Sequence, residues 1–275
     1  MVHIIITADT GSGSKDQYLV ADSMSQLLQK YPIKDIFLLG DNIYEVGVTS
    51  VTDKQFKSKF EDPYQNINKQ FHLCLGNHDY GNSYFHNLNY THQIEYTKHS
   101  DKWNIPSRYY NLVRHPCEFF FLDTNFDHMS ESVIMKQFND VSKMMKESKQ
   151  KWKIVCGHHT WRCIGGHGNA EKRHETFMQD LWSEVDFDLY MCGHDHCKNI
   201  IQTNKNNKKL HHLVIGTGGK KYDETSIYPK NLKKDNSELL FHSPNLGVCV
   251  LNATQTKLQL TCYNEECKEE FSISL

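Results

Sequence analysis

The apolar run Ile36-Phe37-Leu38-Leu39 stops at Gly40-Asp41-Asn42-Ile43-Tyr44, and this break limits what the chain can fold into. Four apolar residues before a glycine turn are too few for a helix and read as a buried strand, so Asp41 is expected at the carboxyl end of a sheet strand. In open α/β sheets that end is where ligands bind. Taken alone, Gly-Asp-Asn after a strand is a turn more often than a site. Here the design recurs along the chain. His3 to Ala8 runs into Asp9-Thr10-Gly11, Phe71 to Leu75 into Gly76-Asn77-His78-Asp79, Trp152 to Cys156 into Gly157-His158-His159, and Leu189 to Cys192 into Gly193-His194-Asp195-His196.

Helical spacing of apolar residues fills the gaps between these strands. It predicts helices over Gln17 to Lys30, around Phe56 and Phe60, from Val133 to about Lys149, and around His174 to Trp182. Tyr80 to Ser107 has no clear period and is expected as a long ordered loop region with some helix. Tyr109 to Leu112 and Glu118 to Leu122 read as further strands. From Asn199 onward only strands are expected (Ile200 to Thr203, Leu210 to Ile215, Leu246 to Leu251, Lys257 to Tyr263, Glu269 to Ile273), as a β meander, with the lysine-rich stretch 218–236 as a mobile loop. Strand-helix alternation followed by strands alone predicts an α/β (α+β) fold: a four-layer α/β/β/α sandwich of two mixed sheets flanked by helices, forming one domain over 1–275.

Composition narrows the partners. At 275 residues with 38% apolar content the chain can bury a full core, and a formal charge of -2 excludes a general nucleic-acid binder. No apolar stretch approaches the ~20 residues of a membrane span. The expectation is a monomer without nucleic-acid or membrane partners. Met1-Val2-His3-Ile4-Ile5-Ile6-Thr7 enters a strand directly, and of nine cysteines several (Cys74, Cys156, Cys192) fall in strands that should be buried and reduced. Both features predict a cytoplasmic thiol protein, while the acceptor sequons at Asn89 and Asn252 point the other way.

The five strand ends offer Asp9, then Asp41 with Tyr44, then Asn77 with His78, then His158, then His194 with His196. This nitrogen and oxygen set lacks thiolates, which suits zinc, iron or manganese. Seven ligands are too many for one ion and make two half-open shells if Asp41 bridges. Two ions ~3.5 Å apart can activate a hydroxide and clamp a phosphoryl oxygen opposite it. A trivalent and a divalent ion against two aspartates and a tyrosinate leave a net charge of about +2, attractive to a phosphate dianion. Phosphoryl transfer is therefore the expected chemistry.

The order Asp, Gly-Asp-x-x-Tyr, Gly-Asn-His, Gly-His, Gly-His-x-His resembles the metallophosphoesterases, and Tyr44 singles out the purple acid phosphatases, with the greatest likeness to the animal tartrate-resistant enzymes. The segments Gly40 to Val48, Phe60-Glu61-Asp62, Trp103 to Tyr110 and Leu122-Asp123-Thr124 extend the resemblance to nearly the whole chain. The resemblance implies an acid phosphatase that hydrolyses phosphate monoesters by attack of a metal-bound hydroxide and releases inorganic phosphate. The substrate would be a nucleotide, a phosphoprotein or a small ester. It places Fe(III) on Asp9, Asp41, Tyr44 and His196, and Fe(II), Zn or Mn on Asp41, Asn77, His158 and His194. It makes His78 and His167 the groups that bind phosphate and protonate the leaving oxygen, with Asp79 orienting His78. His159 is left undecided between substrate contact and solvent, and Trp161 and Arg162 are candidate pocket walls. Phosphodiester cleavage on the same metals and a catalytically silent scaffold of the same fold are the alternatives.

The chain also departs from that pattern. Ala8-Asp9-Thr10-Gly11 stands where relatives have Gly-Asp-Trp-Gly, the segment after Asp123 is short, and no cysteine follows Thr124 to make the relatives' loop disulfide. Activation by cleavage is not expected. The relatives' secreted or lysosomal setting is the alternative location if a removed signal precedes residue 1.

Overall fold

The computed structural model describes residues 1–81, 89–205, 208–221, 228–232 and 236–275. In chain order its main elements are β1 (Val2–Thr7), α1 (Lys15–Lys30), β2 (Ile33–Leu39), α2 (Lys54–Phe56), β3 (Phe71–Cys74), α3 (Tyr90–Tyr96), β4 (Trp103–Asn104), β5 (Tyr110–Arg114), β6 (Cys117–Phe121), α4 (Glu131–Glu147), β7 (Trp152–Cys156), α5 (Lys172–Glu184) and β8 (Leu189–Cys192). Strands β9 (Lys198–Lys205), β10 (Lys208–Ile215), β11 (Ser237–Ser243), β12 (Gly247–Ala253), β13 (Leu258–Asn264) and β14 (Glu269–Ser274) complete it. They form two seven-stranded mixed sheets, ordered β14-β13-β12-β1-β2-β3-β4 and β11-β9-β10-β8-β7-β6-β5.

Side-chain alternation explains the layering. Along β1, Ile4 and Ile6 point between the sheets, where they join Phe37, Leu39, Phe119, Phe121, Ile154, Leu213 and Ile215. Ile5 points the other way, onto Val20, Met24 and Leu27 of α1. On the second sheet Phe120, Val155 and Tyr190 face outward onto Val141 and Met145 of α4 and Met178 and Leu181 of α5. Strands buried on both faces read as continuous apolar runs, which is why β1 to β3 and β6 to β8 are legible in the sequence. The expected four-layer sandwich of two mixed sheets between helices is what the chain adopts. Because β1, β2 and β3 run parallel in one sheet and β6, β7 and β8 in the other, the motif-bearing ends gather along one edge.

Three expectations change. The last strands are no single meander: β9, β10 and β11 extend the second sheet, while β12, β13 and β14 extend the first. Strand β11 is an edge strand that the pattern missed, and β4 falls in the stretch expected as loop and helix. The cysteines are not all thiols, since Cys249 and Cys262, opposite each other on β12 and β13, form a disulfide. Cys74, Cys156 and Cys192 are buried and free as read. Of the stretch 218–236 expected to be mobile, 222–227 and 233–235 lie outside the described residues.

At the opposite edge Arg114 of β5 joins the sheets by donating from Nε and Nη2 to Asp35 of β2 at 2.6 and 3.0 Å. Asn104 donates to His72 Nδ1 at 2.8 Å, so His72 carries its proton on Nε2, facing Asp35 Oδ1 at 3.3 Å. Burial raises the Asp35 pKa, but the bonds from His72 and Arg114 outweigh it and bring the carboxyl down to about 2. A depressed folded-state value means that the stabilisation is complete above the unfolded value of 3.8 and disappears as pH falls toward 2. Urea unfolding across this window should show about 1–2 kcal/mol less of this loss in Asp35→Asn than in wild type. Equal slopes for the two proteins would refute the assignment.

Candidate metal centre

Asp9, Asp41 and His194 all hold left-handed backbone, with φ of 58°, 53° and 71°. Such residues are uncommon outside glycine and cost of order 1 kcal/mol or more each, and they cluster where a site dictates side-chain aim. The motif glycines make room for neighbouring strands' ligands. A Cβ at Gly40 would stand 2.4 Å from the His158 ring, and one at Gly76 would stand 2.2 Å from Asp41 Oδ1.

All seven expected ligands meet at this edge, in two adjoining groups. In the first, the Tyr44 hydroxyl donates to Asp9 Oδ1 at 2.9 Å and lies 3.1 Å from His196 Nε2, which is itself 3.3 Å from Asp9 Oδ1. In the second, His158 Nε2 lies 3.1 Å from Asn77 Oδ1 and 3.4 Å from Asp41 Oδ2. His194 donates its backbone N–H to Asp9 Oδ2 at 2.9 Å, and its ring centre is 5.1 Å from that of His158. One donor atom each of Asp9, Asp41 and His158 fits within 4.8 Å, which ties the two groups together.

The donor set fits metal ions. His158 Nδ1 is 2.9 Å from the Leu39 carbonyl, and a carbonyl only accepts, so the proton sits on Nδ1 and the Nε2 lone pair aims at the oxygens of Asn77 and Asp41. In that neutral tautomer the lone pair and the oxygens need a cation between them, which a metal ion supplies, or a proton where no ion is bound. The electrostatics of the ion-free site put the proton there. Burial lowers the His158 pKa, yet the Asp41 carboxylate overrides it and raises the imidazole to about 9. Burial likewise raises Asp41, but the positive charge of His158 and its neighbours holds that carboxyl well below its usual range. Tyr44 is pushed far up by burial and by the Asp9 and Asp41 carboxylates, so its phenol would lose the proton to solvent only when a strong Lewis acid binds the oxygen.

His78 and His167 flank the ligands. His78 Nδ1–H donates to the Glu45 backbone carbonyl, leaving Nε2 3.9 Å from Asp41 Oδ2, and the His78 ring packs 4.5 Å from that of Tyr44. The His167 ring centre lies 4.0 Å from that of His194, and its backbone N–H donates to Asp195 Oδ2 at 3.0 Å. His167 borders the space in front of the ligands, where it lines a cavity of about 300 Å³ with Asn77, Thr124, Phe126, His159 and His194.

Other placements differ from the reading of the sequence. Asp79 does not orient His78: its carboxylate accepts from the backbone N–H of Gly76, Asn42 and Ile43 and from Gln93, holding the two ligand turns together. Burial and the Asp41 charge raise it to about 6 despite these bonds. The ring that Asp79 was expected to hold is fixed instead by Glu45. Trp161 and Arg162 pack inward on Glu175 and line no wall of this cavity, whereas His159 does, with Thr124 Oγ1 2.8 Å from its Nδ1. Lys220 is a residue that the pattern missed. Its ammonium lies 4.1 Å over the Tyr44 ring and 2.9 Å from Glu45, and only its Gly218-Gly219 approach hinted at a close packing role.

The calcineurin-like phosphoesterase family matches residues 2–198. Purple acid phosphatase 17 of Arabidopsis thaliana is 31% identical over 258 residues, covering 84% of this chain and 74% of that protein. Tartrate-resistant acid phosphatase type 5 of Mus musculus is 29% identical over 205 residues, covering 66% of this chain and 61% of that protein. In fold, the anchor protein of the Plasmodium inner membrane complex superimposes with a TM-score of 0.79 at 21% identity over 100% of this chain and 88% of its own. A purple acid phosphatase from yellow lupin seeds does so with a TM-score of 0.77 at 17% identity, over 99% of this chain and 53% of its own. The chain belongs to the calcineurin-like phosphoesterases and, among them, to the purple acid phosphatases, which makes it a hydrolase of phosphate esters.

Proposed function

We propose that the chain hydrolyses phosphate monoesters at two metal ions and releases inorganic phosphate. The observation that carries this reading is the pair of adjoining donor groups, Asp9 with Tyr44 and His196 and Asp41 with Asn77 and His158, beside a cavity whose wall includes Asn77, His167 and His194. Asp9, Asp41, Tyr44 and His196 would hold Fe(III), and Asp41, Asn77, His158 and His194 would hold Fe(II), Zn or Mn. Bound together, such ions supply Lewis acidity that activates water and neutralises phosphoryl charge.

The chain's own groups do the rest. His78, its Nδ1 proton engaged by Glu45, keeps Nε2 for a proton shared with a phosphoryl oxygen. His167, at the cavity wall, delivers a proton to the departing ester oxygen. Asn77, Thr124 and Phe126 narrow the approach and exclude part of the bulk water. A nucleotide, a phosphoprotein side chain and a small ester all carry the required phosphate monoester. A similar fold in an anchor protein leaves the scaffold reading open on fold alone, and the complete donor set favours the enzyme.

The test is metal analysis, a visible spectrum and paired assays on p-nitrophenyl phosphate and bis(p-nitrophenyl) phosphate, with protein purified without chelator. The expected result is two metals per chain including iron, a broad visible band that bleaches on reduction, and monoester turnover faster by roughly tenfold or more. Two colourless ions would remove the iron-tyrosinate part, faster diester cleavage would replace the substrate class, and a metal-free folded protein without activity would defeat the proposal.

A further inference from the structure

We propose that Cys163, Asp195 and Cys197 form a second, separate site for one thiophilic divalent cation such as zinc, directly behind the centre described above. The three side chains are buried, and one donor atom of each lies within 4.8 Å of the others. Cys163 comes from the segment after β7, while Asp195 and Cys197 lie between β8 and β9. Cys163 Sγ is already 3.1 Å from Asp195 Oδ2. In a tetrahedral zinc site with sulfur at ~2.3 Å and oxygen at ~2.1 Å, neighbouring ligand atoms stand ~3.4–3.8 Å apart. A cation therefore needs only small side-chain adjustments here.

The surroundings are those of ligands. Gly165 N–H donates to Cys163 Sγ at 3.2 Å, and Asn199 Nδ2 donates to Cys197 Sγ at 2.9 Å and to Cys163 Sγ at 3.4 Å. The His167 backbone N–H donates to Asp195 Oδ2 at 3.0 Å. Donors directed at thiolate and carboxylate atoms orient them and stabilise their charged forms. A water completes the fourth position, while the Asn199 amide N–H groups orient both sulfurs. Binding exchanges two thiol protons, released to solvent, for one divalent cation, so the buried cluster keeps the same net charge. A disulfide between the two cysteines would use the sulfurs and leave the adjacent carboxylate without a purpose.

Two sulfur ligands separate this site chemically from the nitrogen and oxygen centre. Its position gives it a consequence for that centre, because Asp195 lies between His194 and His196, and Cys163 begins the loop that carries His167. A cation held here would clamp the His167 loop to the His194 turn, keeping the two rings in contact at 4.0 Å.

Cobalt(II) titrated into the metal-stripped full chain with the Cys249–Cys262 disulfide intact and the other thiols reduced separates this site from the nitrogen and oxygen centre, since only sulfur ligation gives an intense near-ultraviolet charge-transfer band. The expected band saturates at about one cobalt per chain, is displaced by zinc, persists in Asp41→Asn and is lost in Cys163→Ser/Cys197→Ser. If the double variant fails to fold, alkylation mapping on the wild type decides: zinc should slow labelling of Cys163 and Cys197 by about tenfold or more and leave Cys267 unchanged. A folded wild type with reduced thiols and no band overturns the proposal, as does a Cys163–Cys197 disulfide in peptide maps prepared without reductant.

Discussion

Asp41→Asn lowers kcat/KM for a phosphate monoester by roughly 10³-fold or more, about 4 kcal/mol of barrier, and removes most of the metal from the purified protein. The substitution is nearly isosteric. Its Oδ1 can still accept the His78 N–H that Asp41 takes at 3.0 Å, so the turn keeps its shape. What disappears is the charge that faces His158 Nε2 at 3.4 Å and His78 Nε2 at 3.9 Å. Without metal, the variant loses the carboxylate that pairs with His158 at 3.4 Å, and its stability should fall below that of metal-free wild type. Divalent metal should then raise the wild-type Tm by several degrees and the variant's hardly at all, because only a state that binds the ion is stabilised by it. Scanning calorimetry with and without metal, beside steady-state kinetics, checks both halves. Retention of a tenth or more of wild-type kcat/KM would exclude Asp41 as the ligand shared by two ions.

The residues that carry this argument were readable because the strands before them are buried on both faces and end in glycine. Asp9, Asp41, Asn77, His158 and His194 each follow an apolar run, and parallel pairing brings the ends of such runs to one edge. Local order thus stood in for three-dimensional neighbourhood. It failed where neighbours in sequence diverge in space. Asp79 adjoins His78, but both lie in a single 3₁₀ turn, His78–Tyr80, so their side chains leave in different directions. It also failed for contacts made across the fold. Cys163 and Asp195 are 32 residues apart, the distribution of the last strands between two sheets is a long-range choice, and β11 is half-buried at an edge with no marked alternation. The Cys249–Cys262 disulfide was hidden for the same reason, since it depends on the register of β12 with β13.

Lys198→Met should destabilise the fold by about 3–5 kcal/mol, a loss of roughly 6–20 °C in Tm. A lysine at the start of β9, two residues after His196, is an unpromising feature in the sequence. In the structure its side chain is fully buried, and its ammonium donates to the carbonyls of Leu246 and Tyr263 at 3.1 Å each and pairs with Glu270 at 2.5 Å. Lys198 belongs to one sheet, while β12, β13 and β14 around its partners belong to the other. It therefore ties the two sheets at the edge that carries the metal centre. Methionine fills a similar volume but supplies no donor, so two carbonyls and the Glu270 Oε2 lose the ammonium, although Ser243 and Asn245 still donate to Oε1, and that loss is what costs stability. Burial lowers the lysine's own pKa, and Glu270 opposes that shift. The double variant Lys198→Met/Glu270→Gln, freed of the unpaired carboxylate, should recover part of the loss, and the difference between cycles measures the coupling. Urea unfolding of the four proteins gives both values. A single-variant cost below about 1 kcal/mol would mean that water reaches these carbonyls and that hydrophobic packing alone holds the sheets together at this edge.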